Sequence, residues 1–220
     1  MVQEFIQHST AFIERCILSA ISSRGHAVIG LSGGSTPGPV YELVGKNASI
    51  DWSKVWIFLV DDRYVREDSP HSNQFLIRST LLRSAPIPES QFITPDTTVP
   101  IEECRDRYDA ELKSLFAKGP ADLVILGMGN DGHIASLFPP LSENAFGPAH
   151  VIHTVTDMFD IHDRISVTLP VLTQARQALF LLKGKEKKDV WEQMMKSTEG
   201  VARWPAKAVM EAGHATVITL

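Results

Sequence analysis

The amino-acid sequence predicts an α/β fold in which helices cover both faces of a doubly wound, mostly parallel sheet. Apolar runs of strand length, such as 26–31, 55–60 and 123–126, alternate with segments whose apolar residues recur at helical spacing. This alternation is typical of β-α-β units, and continuously apolar strands are typical of a sheet buried on both sides. In addition, glycine-rich or charged turns follow several of these strands, as at the ligand-binding edge of such sheets.

The individual elements follow from the same patterns. The first helix is predicted over residues 1–21, where Phe5, Ile13 and Ile17 share one face and acidic residues argue against a secretory signal. The further elements, in chain order, are a strand at 26–31, a helix at 39–44, a strand at 55–60, a helix with Ser72 as its N-cap, a short strand at 92–93, a helix at 101–117, strands at 123–126, 151–156, 165–169 and 178–182, a helix at 185–196 and a strand at 216–220. Because no repeat, low-complexity tract or linker interrupts them, residues 1–220 are expected to form one domain.

Composition excludes several classes of function. A net charge of -5 argues against nucleic-acid binding, and the densest positive group, residues 183–188, is interrupted by Glu186. No apolar run approaches the roughly 18–20 residues of a membrane span. Cys16 and Cys104 each lie in an amphipathic helical pattern, which predicts free thiols in a reducing compartment and hence a cytoplasmic protein.

The most informative segment runs from Asp122 to Ser136. Its apolar part, 123–126, ends in a turn with three glycines that presents Asp131 and His133 together, just before a helix predicted to begin near Ile134. Histidine is the side chain best suited to transfer protons near neutral pH, so His133 is a candidate general base. The alternative is a histidine that caps the helix. A metal site is not indicated, because no His-x-x-x-His or Cys/His cluster accompanies it.

A second glycine-rich turn follows the first strand. Its residues Ser32, Gly33, Gly34 and Ser35 precede a predicted helix, so backbone N–H groups, hydroxyls and the helix N-terminus could together bind an anion. The segment lacks the Gly-Lys-Ser/Thr of a nucleotide-binding P-loop and the Gly-x-Gly-x-x-Gly of a dinucleotide site. The alternative is a tight turn with a helix cap.

Three cations stand beside predicted strand ends. Arg63 follows Asp61 and Asp62 at the end of the second long strand, Arg164 opens an apolar strand, and Lys187 lies near the start of a helix. A phosphate dianion needs several convergent donors, and arginine can bind it with two parallel hydrogen bonds. One of the two aspartates could hold the Arg63 guanidinium in place. For each cation the alternative is a solvent-exposed surface charge.

Taken together, these segments resemble the 6-phosphogluconolactonases, hydrolases of the oxidative pentose phosphate pathway. The matching segments, in the family's order, are Ser32–Pro37, Asp61–Arg63 with Ser72 and Asn73, Gly127–Pro139, Arg164–Pro170 and Gly184–Lys187. The Gly127–His133 block is shared mainly with the related glucosamine-6-phosphate deaminases, whereas the Asp-x-Arg segment resembles the lactonase form.

The resemblance implies a doubly wound α/β fold, no organic cofactor, no required metal and a small-molecule phosphosugar lactone as substrate. It also implies that His133 is the general base, Asp131 its neighbouring acidic residue and Arg63 a substrate-binding arginine, with Asp62 where the family commonly has glutamate. The positions that match the substrate and phosphate side are Ser32, Gly33, Gly34, Ser35, Gly129, Arg164 and Lys187.

Two other functions remain open at this point. One is a glucosamine-6-phosphate deaminase or isomerase, in which Asp61 or Asp62 acts as the base and ammonia is released. The other is a non-catalytic phosphosugar-binding module, which would require an output segment that this sequence does not display. A monomer and a homodimer are both compatible with the sequence.

Overall fold

The computed structural model describes residues 1–220, which form nine strands and seven α-helices. The strands are β1 (Ala27–Leu31), β2 (Val55–Leu59), β3 (Asp61–Arg63), β4 (Phe92–Ile93), β5 (Leu123–Leu126), β6 (Val151–Val155), β7 (Asp163–Val167), β8 (Ala178–Leu182) and β9 (Ala215–Thr219). The helices are α1 (Val2–Arg24), α2 (Gly38–Gly45), α3 (Asn73–Ser79), α4 (Ile101–Leu115), α5 (Leu169–Gln174), α6 (Lys185–Lys196) and α7 (Pro205–Glu211). None of these helices is long and apolar enough to cross a membrane.

Six strands form a parallel sheet in the order β4-β2-β1-β5-β8-β9. The chain runs from β1 outward through β2 and β4, then returns to add β5 on the other side of β1. The direction of winding therefore reverses between β1 and β5. In sheets of this kind, a crevice opens at that point beyond the carboxyl ends of the strands, and ligands bind there.

The core lies on both faces of this sheet, because successive side chains of a strand point to opposite sides. On one face, Ile29 belongs to the same buried cluster as Ile13 of α1. On the other, Phe58 and Phe180 share a cluster with Tyr108 of α4. Both faces are thus covered, which explains why the central strands are apolar at every position and confirms the predicted layering.

A second sheet of three antiparallel strands, in the order β3-β7-β6, was not predicted. The segments expected as strands at 151–156 and 165–169 are β6 and β7, and they pair with each other as a hairpin. Residues 156–162 connect them, which is too short for the crossover that two parallel strands require. The pairing of β3 with β7 sets Arg63 directly opposite Arg164.

The helix predicted near Ile134 is absent. Residues 134–137 instead form a tight turn in which the Leu137 N–H donates to the Ile134 carbonyl at 2.9 Å. Ala135 has φ of 49°, which no right-handed helix can contain, and two prolines follow within a few residues. Ile134 and Leu137 are both buried, so their i, i+3 spacing anchors a turn here rather than a helix.

Other local predictions are confirmed. The hydroxyl of Ser72 accepts a hydrogen bond from the Gln74 N–H at 3.0 Å and so caps α3. Cys16 and Cys104 are both free thiols. Helices α5 and α7 were not predicted, because each spans only about two turns and carries little amphipathic pattern.

Candidate active site

A cavity of about 510 Å³ opens at the carboxyl edge of the parallel sheet, between the loops that follow β1 and β5. All the residues that sequence analysis assigned to a site line it, namely Ser32, Gly33, Gly34, Ser35, Arg63, Gly129, Asp131, His133, Arg164 and Lys187. They come from both sheets and from the start of α6. The cavity therefore brings a proton-transfer candidate and several cations together.

His133 and Asp131 are hydrogen-bonded to each other. The Nδ1 atom of His133 lies 2.5 Å from Oδ1 of Asp131, and both side chains are largely shielded from solvent. Burial acts to raise the pKa of Asp131, but the hydrogen bonds and charge of His133 act in the opposite direction, and the net pKa is lowered. Because the carboxylate is ionised at neutral pH, Nδ1 carries the proton, which leaves Nε2 as the nitrogen that can accept one.

Gly129 packs directly against this pair. A Cβ atom on Gly129 would lie 2.2 Å from Nδ1 of His133 and 2.3 Å from Oδ1 of Asp131, so only glycine fits. The Gly129 N–H donates to the His133 carbonyl at 2.8 Å, and the Gly132 N–H donates to the Gly129 carbonyl at 3.0 Å. These two N–H groups are consumed within the turn, and neither is available to a ligand.

Aromatic rings flank the imidazole. The ring centroid of Phe138 lies 4.7 Å from that of His133, and the centroid of Phe159 lies 5.8 Å away. Phe159 and its neighbour Met158 belong to the β6–β7 connection, line the cavity and remain substantially exposed. Sequence analysis missed these residues, because no local pattern indicates that the hairpin reaches over the turn after β5.

The loop after β1 contacts Tyr41 of α2 and Asn73 of α3. The hydroxyl of Tyr41, a buried residue of α2, donates to the Ser32 carbonyl at 3.0 Å. A Cβ atom on Gly33 would lie 1.8 Å from Oδ1 of Asn73, so the amide of Asn73 packs directly against the loop. The loop thus has a defined shape at the point where α2 begins.

The three cations lack carboxylate partners. The Arg63 guanidinium donates to the His71 carbonyl at 2.7 Å and to Oδ1 of Asn73 at 3.2 Å, and Nε of Arg164 donates to the Ile161 carbonyl at 3.1 Å. Neither of these arginines nor Lys187 forms an ion pair. The cavity therefore carries positive charge that an anion would neutralise.

The pKa values of two of these cations agree with that conclusion. Burial lowers the pKa of Arg164, and the neighbouring charge of Arg63 lowers it further. Burial also lowers the pKa of Lys187, against the opposing effects of Asp131 and Glu186. In both cases the charged form is less favourable than in water, and a bound anion would relieve that cost.

The two aspartates of β3 have different environments, because alternate residues of a strand face opposite sides. Asp61 lines the cavity, and its Oδ2 accepts a hydrogen bond from the Ser136 hydroxyl at 2.6 Å. Asp62 faces inward, is 1% exposed and accepts hydrogen bonds from the Ser72 hydroxyl and the Asn73 N–H. Burial raises the pKa of Asp62 to about 6.

The expectation that one of these aspartates holds the Arg63 guanidinium was therefore wrong. The only hydrogen bond from Arg63 to Asp62 comes from the Arg63 backbone N–H, at 2.8 Å. The guanidinium instead donates to the His71 carbonyl and to Oδ1 of Asn73. Asn73 belongs to a segment that carried the family resemblance, but sequence analysis assigned it no role. Its contribution depends on α3 packing against β3, which no local pattern reveals.

Residues 2–218 match the family model described as glucosamine-6-phosphate isomerases/6-phosphogluconolactonase. The chain belongs to this family. The match spans nearly the whole chain and so includes every element that builds the cavity.

Individual relatives agree with the family and the fold. The chain is 42% identical to a probable 6-phosphogluconolactonase of Dictyostelium discoideum, over 98% of this chain and 93% of that protein. The solved 6-phosphogluconolactonase from Plasmodium vivax has a TM-score of 0.91 at 33% identity, covering 99% of this chain and 87% of that one. A solved monomeric glucosamine-6-phosphate deaminase has a TM-score of 0.85 at 18% identity, covering 100% of this chain and 94% of that one, which shows the same fold alone.

Proposed function

We propose that this protein is a 6-phosphogluconolactonase, which hydrolyses 6-phospho-D-glucono-1,5-lactone to 6-phospho-D-gluconate in the oxidative pentose phosphate pathway. The observation that carries the proposal is the bonded Asp131–His133 pair in one cavity with three cations that have no carboxylate partner. The names of the relatives that cover nearly the whole chain support the same substrate. A phosphorylated lactone needs both, because its ester is attacked with the help of a base and its phosphate is bound by cations.

In the proposed complex, the phosphate is bound by the loop from Ser32 to Ser35 and by the cations beside it. Arg63 is the cation nearest this loop in the hydrogen-bond network, since the Asn73 amide contacts both Gly33 and the guanidinium. Fixing the phosphate places the lactone ring in the cavity and holds its carbonyl carbon in one position. Arg164 and Lys187 contribute further positive charge around the substrate.

The chemistry then needs one base and one water molecule. Nε2 of His133 accepts a proton from water as the water oxygen attacks the lactone carbonyl carbon. When the tetrahedral intermediate collapses, the bond between that carbon and the ring oxygen breaks, and protonated His133 returns the proton to the ring oxygen. Asp131 holds the ring through Nδ1 and stabilises the imidazolium. No serine nucleophile is required, because a lactone is already an activated ester.

Negative charge grows on the carbonyl oxygen during the attack and must be stabilised. Backbone N–H groups of the glycine turn after β5 are one possible source, but those of Gly129 and Gly132 bond within the turn. We assign this stabilisation to Arg164 and Lys187, the two cations of the cavity other than the phosphate-binding Arg63. Such charges act more strongly in a shielded site than they would in water.

The alternative is a deaminase acting on glucosamine 6-phosphate, and one observation favours it. The carboxylate of Asp61 lines the same cavity and could serve as a base. However, Oδ2 of Asp61 already accepts a hydrogen bond from the buried Ser136 hydroxyl. His133, the proposed base of the lactonase, follows β5 of the parallel sheet, whereas Asp61 lies in β3 of the antiparallel sheet. Asp62 is excluded from either role by its burial.

The test measures acid release from freshly prepared 6-phosphogluconolactone, because the product carboxylic acid ionises at neutral pH. We expect a rate proportional to enzyme concentration and well above spontaneous hydrolysis, and no ammonia from glucosamine 6-phosphate. Ammonia release without acceleration of lactone hydrolysis would establish the deaminase instead. Tight binding of 6-phosphogluconate with turnover of neither substrate would indicate a binding module.

Three organisational features complete the proposal. We infer that residues 1–220 act as one domain, because both sheets and α6 contribute to one cavity. The free thiols of Cys16 and Cys104 support a reducing compartment, for which we propose the cytoplasm. The cavity is built by residues of one chain, so that either a monomer or a homodimer would be active.

A further inference from the structure

We propose that Arg203 is a positioning residue for the Asp131–His133 pair, although it does not line the cavity. It lies in a turn just before α7, far from the histidine in sequence, and no motif in the sequence indicated it. The inference rests on the proposed function, because it assigns a role to Arg203 only if His133 transfers protons.

Asp131 is held by hydrogen bonds from two sides. Its carboxylate bonds the His133 ring, whereas its backbone carbonyl accepts a hydrogen bond from Nη1 of Arg203 at 2.7 Å. This bond fixes the peptide plane between Asp131 and Gly132, and that plane in turn sets the direction of the Asp131 side chain. Because the guanidinium bonds the carbonyl and not the carboxylate, it orients Asp131 without neutralising the anion that His133 needs.

Gly132 and Arg203 both pack against the ring of Trp204. Gly132 has φ of 91°, and a Cβ atom on it would lie 2.7 Å from the ring of Trp204 and 3.2 Å from Nη1 of Arg203. Trp204 is 1% exposed, and its Nε1 has no hydrogen-bond partner, so the ring serves as a packing surface alone. The Arg203 guanidinium stacks on that ring, with its central carbon 3.9 Å from the ring centroid.

These contacts form a continuous connection. Trp204 supports Gly132 and Arg203, Arg203 holds the Asp131 carbonyl, and Asp131 holds the imidazole. The other side of the turn is closed by Gly129. With Arg203 removed, the peptide after Asp131 would lose the hydrogen bond to its carbonyl oxygen and could rotate. The distance from Nε2 of His133 to the attacked carbon would then be less well defined.

The test compares Arg203→Met, Arg203→Lys and Arg15→Met in the lactone assay, with unfolding temperature measured for each. We expect Arg203→Met to lower kcat by about 10- to 100-fold with KM within roughly twofold of the wild type, as a misplaced catalytic group would. Arg203→Lys keeps a donor and a charge and should recover a large part of kcat. Arg15 also stacks on an aromatic ring, that of Phe12, but lies on α1 outside the cavity and serves as the matched control.

A spectroscopic measurement separates positioning from loss of fold. The proton on Nδ1 of His133, shared with Asp131, should give a downfield proton resonance in the wild type that broadens or disappears in Arg203→Met. If Arg203→Met does not fold, Arg203→Gln is measured against the same criteria.

Several outcomes would overturn the inference. These are an unchanged kcat in folded Arg203→Met, a loss that only follows the unfolded fraction, or a rise in KM with constant kcat. They are distinguishable from failure of the proposed function, because that function is tested separately by His133→Asn. An active His133→Asn variant would disprove the histidine mechanism, whatever the result for Arg203.

Discussion

The two sheets of this protein make different contributions to one cavity. The parallel sheet presents two loops at adjacent strand ends, the Ser32–Ser35 loop after β1 and the Asp131–His133 turn after β5. The antiparallel sheet presents two arginines, Arg63 and Arg164, which face each other across β3 and β7. The first sheet thus supplies the loop proposed to bind the phosphate and the pair proposed to transfer protons, whereas the second supplies two of the three cations of the cavity.

The two sheets differ in how far apart in the sequence the residues lie that come together in the cavity. Asp131 and His133 are two residues apart in one turn, so their hydrogen bond depends on local backbone geometry. Arg63 and Arg164 meet only because β3 pairs with β7. The comparison predicts that proton transfer can be abolished without loss of binding, and that binding can be weakened without loss of proton transfer. Two substitutions test this separation, and a third tests the stability of the antiparallel sheet.

The largest effect is expected for His133→Asn. Loss of the general base should lower kcat by about 10²- to 10⁴-fold with little change in KM, since general acid–base catalysis contributes that much. Steady-state kinetics of acid release measure both parameters. His153→Asn is the matched control, because His153 also bonds an aspartate, Asp163, at 2.8 Å but lies outside the cavity. Equal losses in the two variants, or none in His133→Asn, would exclude the histidine mechanism.

A smaller effect is expected for Arg63→Ala. Removing hydrogen bonds from a charged donor should raise KM for the phosphorylated lactone by about 10- to 100-fold. The rate with unphosphorylated gluconolactone should change little, because it has no phosphate to bind. Arg66→Ala removes a nearby but exposed arginine that pairs with Asp68, and it should leave the kinetics with both lactones unchanged. Equal loss with both lactones would instead place Arg63 at the carbonyl oxygen.

The smallest effect, on stability alone, is expected for Asp62→Asn. The pKa of Asp62 is raised to about 6 by burial, so its neutral form is favoured in the folded state. Its contribution to stability is therefore fully present below the pKa of about 3.9 of an unfolded aspartate and is lost as pH rises through about 6. Asparagine cannot titrate, so the variant loses none of its stability by this route.

We expect the destabilisation caused by Asp62→Asn to be greater at pH 4 than at pH 7.5, by on the order of 1–3 kcal/mol. Urea unfolding of both proteins at the two pH values measures this difference. A pH-independent destabilisation would mean that Asp62 is ionised throughout and acts only as a hydrogen-bond acceptor. Asp163→Asn, a change to an exposed carboxylate of the same sheet, provides the comparison.

Prediction from the sequence succeeded where structure is periodic or local. The central parallel strands β1, β2, β5 and β8 carry no polar side chain because both faces of the sheet are covered, and the glycine-rich loops after β1 and β5 are visible as motifs. It was wrong at Ile134, where an i, i+3 apolar spacing fits a turn as well as a helix. It was also wrong about the partner of Arg63, because the short strand Asp61–Arg63 turns Asp62 away from the cavity.

By itself, the sequence determined the layered fold, the two strand-end loops and the placement of Asp131 and His133 in one turn, whereas the hydrogen bond between them is seen only in the structure. These features depend on residue period and on neighbours a few positions apart. Only the tertiary structure decided that β3, β6 and β7 form a separate sheet, that Phe138 and Phe159 flank the imidazole and that Arg203 supports the turn from behind. Those contacts join segments far apart in the chain, and packing of the whole molecule selects them.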